Sequence, residues 1–545
     1  MAQGFATVAI FFLRMVRLIV PKLLAFVAGS AGVQASVDPI RIDPGTGYYV
    51  DASGRVRIFH GVNIVYKEYP WYPETETFNP TDSLDPETMG NLKKWGMNVV
   101  RLGVMWPGVE PAPGVIDKTY LSKIRNITQQ LASYDVYTIA DLHQDIGSRR
   151  FCGEGFPEFY IDDLLEDTTS AVARAAPFPA PMKADISFNS TGFPNMTDCL
   201  SNEFAGYYLT EQVGAMWNEL YTPGSDLNLG FSRFWGAVAN EFRDAPELLA
   251  YELLNEPNGF CLEGSAKGCE NVFGELFGNS VEVEKLTPLY RSAAEAIRSA
   301  NAAQPIIYEQ TVLLPKVLAA PFPGPVLEND DQQGLAYHIY CIPGDGAGAV
   351  SSFECKVAQD LFWHTYAPFL RRHQGIGGFM TEFGAVGGNP LELKHLDRLF
   401  SMVDDQFQSW AYWELKTYKD FTTANAAESL YDGDGKIETT KLATLSRTYA
   451  QAIAGEPKSM KFDSETARFT LRFKPNATIS KPTVIYFNEE LHYPHGYISK
   501  VTPSGCLDVV QEEPNHLFLS VAAVSDCQDV TVEVWPSSAQ DQVVV

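Results

Sequence analysis

Positive charge is scarce in this chain. Against 67 Asp and Glu stand only 41 Lys and Arg, a formal net charge of −26 at pH 7, with a sequence pI near 4.7. So acidic a surface repels nucleic acid and anionic membrane, and excludes both as electrostatic partners. Phosphate-cradling loops are missing as well: the sequence holds neither G-x-G-x-x-G nor a P-loop, so nucleotide chemistry has no foothold. No paired C-x-x-C spacing marks a metal site, no Ser-His-Asp constellation stands out, and no internal repeat occurs. Neither metal nor cofactor is expected. No apolar run free of charge reaches the ~20 residues that a spanning helix needs.

The N-terminus comes nearest to one. Residues 5–13 and 18–28 are mostly apolar, but Arg14, Arg17 and Lys22 interrupt them. With the small-residue stretch Val33-Gln34-Ala35, residues 1–35 read as a cleaved signal peptide, or alternatively as an uncleaved membrane anchor. Eight cysteines and four sequons, at Asn126, Asn189, Asn195 and Asn476, favour the secretory route. A secreted or lysosome-like location is therefore expected. Candidate disulfides are Cys152–Cys199, Cys261–Cys269, Cys341–Cys355 and Cys506–Cys527; the sequence does not select among the alternatives.

At 545 residues, 45% hydrophobic and 20% charged, the chain is long enough for several domains. From about residue 40 to 455, short apolar runs alternate with amphipathic stretches. The runs are Arg57–Val65, Met97–Val104, Tyr137–His143, Leu248–Glu256, Pro305–Gln310, Leu335–Tyr340, Ile376–Glu382 and Trp410–Leu415. Helical spacing follows in Asp117–Tyr134, Phe231–Phe242, Leu286–Ala300, Val357–Arg372 and Lys394–Phe407. Strand alternating with helix implies a parallel sheet, and eight such units imply an α/β fold, a (β/α)8 TIM barrel. Residues 144–225 form its longest insertion, placed to wall the cleft. Beyond Gly455-Glu456-Pro457 the pattern becomes two-residue alternation, as in Phe469, Leu471 and Phe473, so residues 460–545 read as an all-β sandwich. Asp432-Gly433-Asp434-Gly435-Lys436 reads as a turn, since it lacks the spaced acidic ligands of a calcium loop.

Eight polar or aromatic residues sit at or near the ends of the apolar runs: Arg101, His143, Asn255, Glu256, His338, Tyr340, Glu382 and Trp413. Burying such groups is costly unless they pair, and their recurrence on strand after strand indicates a shared polar pocket. Read singly, each has a plainer explanation. The glutamates could be surface charges, the histidines satisfied core residues, Arg101 a structural ion-pair partner and Trp413 barrel packing.

In this order the set resembles the signature of glycoside hydrolase family 5, of clan A. The stretch Gly61-Val62-Asn63-Ile64-Val65-Tyr66-Lys67 is similar to endoglycoceramidases, as are Asp141-Leu142-His143-Gln144-Asp145 and Phe151-Cys152-Gly153-Glu154-Gly155. So are Met216-Trp217-Asn218, Trp413-Glu414-Leu415-Lys416 and the sandwich tail. The resemblance implies a retaining enzyme that cuts between the oligosaccharide and the ceramide of glycosphingolipids. Glu382 would be the nucleophile and Glu256 the acid/base, their carboxyl groups about 5–5.5 Å apart. Lys67, Asp145, Trp217, Asn255, Tyr340 and Trp413 would contact the sugar, with Arg101 and Tyr340 holding Glu382 and with His143 and His338 orienting the pair. A Trp in a helical stretch is as readily packing, and a Lys as readily solvated. Asn258 departs from the aromatic residue common in relatives, which bears on sugar-chain preference. Pro177–Pro181, Pro315–Pro325 and the loop after Trp413 are candidate walls for the lipid, and peripheral membrane contact through exposed aromatics is expected. The rivals are a family 5 β-glucanase or mannanase, a β-glucosylceramidase or β-galactosylceramidase, and a non-catalytic glycolipid-binding protein.

Overall fold

The computed structural model describes residues 37–258, 260–261, 270–271, 278–311, 322, 324–341, 352–384, 386–422, 427–522 and 527–538. The leader at 1–35, the pairing of Cys261 with Cys269 and most of Pro315–Pro325 lie outside the described residues.

Eight parallel strands close a barrel in chain order: His60–Ile64, Val99–Gly103, Tyr137–Asp141, Leu248–Glu252, Ile306–Glu309, Gln333–Ile339, Gly377–Phe383 and Ser409–Tyr412. The last pairs with the first through Trp410 with His60 and Ala411 with Gly61. Every residue of these strands is buried, which is why they read as apolar runs and not as alternating ones. Five fall within the runs above; the sixth begins two residues before its run, at Gln333, the seventh ends one residue after its run, at Phe383, and the eighth begins one residue before its run, at Ser409. The connecting helices follow their amphipathic signals. Lys118–Ala132 starts where the Asp117 side chain accepts from the Thr119 and Tyr120 backbone N–H groups, and it buries Leu121, Ile124, Ile127 and Leu131. Pro390–Asp404 starts at a capping box made by Asn389 and Glu392.

The sandwich is not confined to the C-terminal residues. Its larger sheet runs Arg41–Ile42, Tyr49–Val50, Val56–Arg57, Tyr449–Ile453, Thr483–Tyr486, His516–Val521 and Leu507–Glu513. The domain boundary read at 455–460 is therefore corrected: three N-terminal strands and one strand before residue 455 belong to the sandwich. The N-terminal three have two residues each, and only the distant strand pairing of Val56–Arg57 with Ala452 and Ile453 joins them to the sandwich. The smaller sheet runs Gly455–Asp463, Arg468–Pro475, Val530–Pro536 and Tyr497–Thr502. Sandwich and barrel share one seam. Tyr449 Oη donates to the Gly96 carbonyl at 2.7 Å, and Tyr486 Oη donates to the Lys94 carbonyl at 2.9 Å. Gly96 has φ +75°, and a Cβ there would come within 2.3 Å of the Tyr486 ring, so only glycine fits.

The insertion after the third strand folds into short helices, tied by the Cys152–Cys199 disulfide. Cys341–Cys355 and Cys506–Cys527 are also closed.

Candidate active site

A strand turns successive side chains to opposite faces, so residues two apart share one face. At the lower end of the barrel interior, Val99, Ile139, Ala250, Ile307, Ala336 and Ala411 pack with Phe59 and Phe379. Two residues further along the same strands stand Arg101, Asp141, Glu252, Glu309, His338 and Trp413. This upper layer is almost wholly polar and buried, and it needs internal partners.

Arg101 is the hub. Its Nη1 donates to Glu382 Oε1 at 2.6 Å and to Asn63 Oδ1 at 3.0 Å. Its Nε donates to Glu252 Oε2 at 2.6 Å, and its Nη2 to Asn255 Oδ1 at 2.8 Å. Asp141 Oδ1 lies 3.1 Å from the same Nη2. Tyr340 Oη donates to the other Glu382 oxygen at 2.8 Å. Both nucleophile-side oxygens are thus held by donors.

Glu256 lies beyond its strand, in a backbone with φ +40°, a left-handed conformation that non-glycine residues seldom adopt. Gln144 Nε2 grips this turn by donating to the Asn255 and Glu256 carbonyls at 2.8 and 3.1 Å. His338 Nδ1 stands 2.8 Å from Glu256 Oε1 and 3.5 Å from Glu382 Oε2. A carboxyl oxygen of Glu256 and one of Glu382 lie within 4.8 Å of each other. That is the spacing of a nucleophile and an acid flanking one bond, not the ~6.5–9.5 Å that leaves room for a water. The Glu256 side chain is 21% exposed and that of Glu382 5%, so Glu256 faces the mouth.

The charges are unequal. Burial pushes the Glu256 carboxyl up to about 7, Asp145 adding to it against His143, Arg101 and Lys67. Burial opposes a charge on His143, but Asp141 and Asp145 outweigh it and raise the imidazole to about 10. For His338 burial prevails, lowering it to about 3 despite Glu382. His143 is therefore a cation and His338 neutral. A protonated carboxyl next to a carboxylate with two donors is a general acid beside a nucleophile.

Comparison with known proteins agrees with this geometry. Residues 50–419 match the cellulase (glycosyl hydrolase family 5) family, and residues 447–534 match the glycoside hydrolase family 5 C-terminal domain. An endoglycoceramidase of Hydra vulgaris is 32% identical over 93% of this chain and 91% of its own length. Endoglycoceramidase I of Rhodococcus hoagii is 31% identical over 83% and 81%. The chain belongs to glycoside hydrolase family 5, among the endoglycoceramidases. In fold it is similar to the solved endo-glycoceramidase II from Rhodococcus sp., captured as a lactosyl-enzyme intermediate. The TM-score is 0.67 at 22% identity, over 90% of this chain and all of that one.

Within this family 5 site, the residues expected to touch sugar divide. Trp413 lies 5% exposed, its ring stacked on His143 at 5.2 Å and its Nε1 donating to Glu428 Oε2 at 3.1 Å. Asp145 stands at the root of the insertion, 3.6 Å from His143 Nε2. Lys67 differs from the expectation. Its Nζ donates to Asp145, to Asp420 at 3.0 Å and to Thr422 Oγ1 at 2.8 Å. An ammonium has three donors, and all three are used, so Lys67 positions Asp145 and has no N–H left for a hydroxyl. Asn255 Nδ2 likewise donates to the Gln144 carbonyl at 3.0 Å. Trp217 is fully buried, edge-on to Phe156 at 5.5 Å. The aromatic layer under the insertion holds its ring, which meets Phe156 and Tyr221.

Sequence reading singled out neither Asn63 nor Asp141, Glu252, Glu309, Asp420 and Glu428 for a role. For Asp141, Glu252 and Glu309 the available signal is an acidic side chain two places past an inward apolar residue, Ile139, Ala250 and Ile307; Asp420 and Glu428, in the loop beyond the eighth strand, carry no such signal. Groups such as His143, Asp145 and Glu154, or Glu252, Glu309 and His338, have the spacing to hold a cation. Lys67 or Arg101 already supplies the positive charge beside them, and carboxylate chemistry needs no metal.

Proposed function

We propose that the protein is a retaining endoglycoceramidase: it hydrolyses the β-bond between the oligosaccharide and the ceramide of glycosphingolipids. The observation that carries the mechanism is the Glu256–Glu382 pair, one oxygen of each within 4.8 Å of the other and its two members differently held. Glu382 attacks the anomeric carbon while Glu256 gives its proton to the ceramide oxygen. The C–O bond to ceramide breaks as the ester to Glu382 forms. Glu256, now a carboxylate, takes a proton from water, which displaces Glu382 and restores the β-configuration. Arg101 and Tyr340 stabilise the carboxylate that leaves.

The substrate class rests on the relatives' kinship. A surface approach is supported by exposed apolar side chains on the connections that follow the first and third barrel strands: Tyr69 at 84%, Phe188 at 46% and Leu200, at the end of the short helix Met196–Leu200, at 47%. A secreted or lysosome-like location is supported by the closed disulfides and by four exposed sequon asparagines. Mass analysis of products from a mixed glycolipid extract tests the reading. Intact ceramide with an intact oligosaccharide is expected. Cleavage of cello-oligosaccharides alone, or release only of single sugars from ceramide, would replace it with a rival.

A further inference from the structure

Glu309 ends the fifth barrel strand, fully buried. One oxygen, Oε2, accepts the Glu256 backbone N–H at 2.8 Å. The other, Oε1, lies 3.3 Å from His338 Nε2. Neither Oε1 nor Nε2 has a hydrogen-bond partner elsewhere among the described residues. Two buried, otherwise unpaired polar atoms that face each other need one proton between them. His338 then touches Glu256 Oε1 through its other nitrogen at 2.8 Å. Glu309 thus reaches the acid twice, through its backbone and through its imidazole neighbour.

We infer that Glu309 is a positioning residue for the general acid: a neutral carboxylic acid whose Oε1–H donates to His338 Nε2 and whose Oε2 accepts the Glu256 N–H. The assignment is self-consistent. With Nε2 accepting, His338 carries its proton on Nδ1 and donates it to Glu256 Oε1. The Glu256 proton is left on Oε2, which has no partner among the described residues and is free to serve the leaving oxygen. Held also by its backbone, Glu256 keeps its left-handed turn. The surroundings favour the neutral form. Burial, then Glu256 and Glu252, push the Glu309 carboxyl well above the usual range, against Arg101. Tyr290 and Tyr366 also stand near it, and Tyr290 Oη donates to the Glu309 carbonyl at 2.8 Å, not to its carboxyl.

The inference rests on the retaining reading above, but its test does not need ceramide. Octyl β-lactoside has a leaving group that requires a proton, and 2,4-dinitrophenyl β-lactoside has one that does not. Glu309→Gln preserves one acceptor and one donor, and should keep kcat/KM on both within about threefold. Glu309→Leu should lower kcat/KM roughly 10- to 100-fold on the octyl substrate and under about threefold on the aryl one. It should also move the basic limb of the pH profile, which Glu309→Gln leaves in place. Nitrogen-15 NMR of the wild-type enzyme should find His338 protonated on Nδ1. Equal losses for Gln and Leu, equal losses on both substrates, or a proton on Nε2 would overturn the assignment. Wild-type enzyme that cleaves these lactosides but no glycosphingolipid would remove the substrate reading and leave this one standing.

Discussion

Two layers of the same barrel share eight strands and one backbone geometry, yet differ in almost everything else. The lower layer, with Val99, Ile139, Ile307, Phe59 and Phe379, is apolar and closely packed. The upper layer begins two residues on, about 6.6 Å along each strand, and gathers Arg101, Asp141, Glu252, Glu309 and His338 with no water-exposed atom of consequence. Buried charges of this density cost stability unless each is paired. The lower layer offsets that cost, and the upper layer is free to set protonation states. Stability and chemistry are thereby divided along the strand, not between domains.

The sharpest way to break the comparison is to remove the nucleophile. Glu382→Gln should reduce turnover roughly 10⁴-fold or more while the protein stays folded and still binds glycolipid, as steady-state kinetics and calorimetry would show. Normal turnover in this variant would refute the assignment. Glu256→Gln should cost about 10²–10⁴ on ceramide-type leaving groups and far less on dinitrophenyl glycosides. In the unsubstituted enzyme, the raised Glu256 carboxyl predicts the sign of the pH dependence. The acid is protonated below about 7 and is lost as pH rises through it, so kcat/KM should decline about tenfold per unit above that point. Arg101→Met leaves three buried carboxyl groups facing one another and should destabilise the fold by about 3–5 kcal/mol, measured by denaturant unfolding. The smallest change sharpens the contrast from the other side. Ile307→Val in the lower layer should cost about 0.5–1.5 kcal/mol of stability and leave kcat/KM unaltered.

Much of this is legible in the chain itself. Continuous apolar runs located all eight barrel strands, because a strand buried on both faces has no polar alternation to confuse it. The strand-end set named both carboxyl groups, Arg101, His143, His338 and Tyr340. What stayed hidden needed three dimensions. The strands at 41–57 are two residues each, and only the strand pairing of Val56–Arg57 with Ala452 and Ile453, hundreds of positions away, joins them to the sandwich; pairing at that distance leaves no local trace. The resemblance makes Lys67 a sugar contact; only the placement of Asp420 and Thr422 beside Asp145 shows that its donors are taken. Trp217 falls in a helix, Glu211–Tyr221, whose residues are buried almost throughout, and residue type alone does not distinguish packing from a platform. Glu309 looked like one acidic end among many until its neighbours were known.

The central claim is that Glu382 becomes covalently joined to the sugar while Glu256 serves the leaving group. Incubation with 2-deoxy-2-fluoro-β-lactosyl fluoride, followed by peptide mass mapping, tests it most directly. The account predicts one lactosyl adduct per chain, on Glu382. An adduct on any other residue, or turnover with no adduct and inverted product, would contradict it.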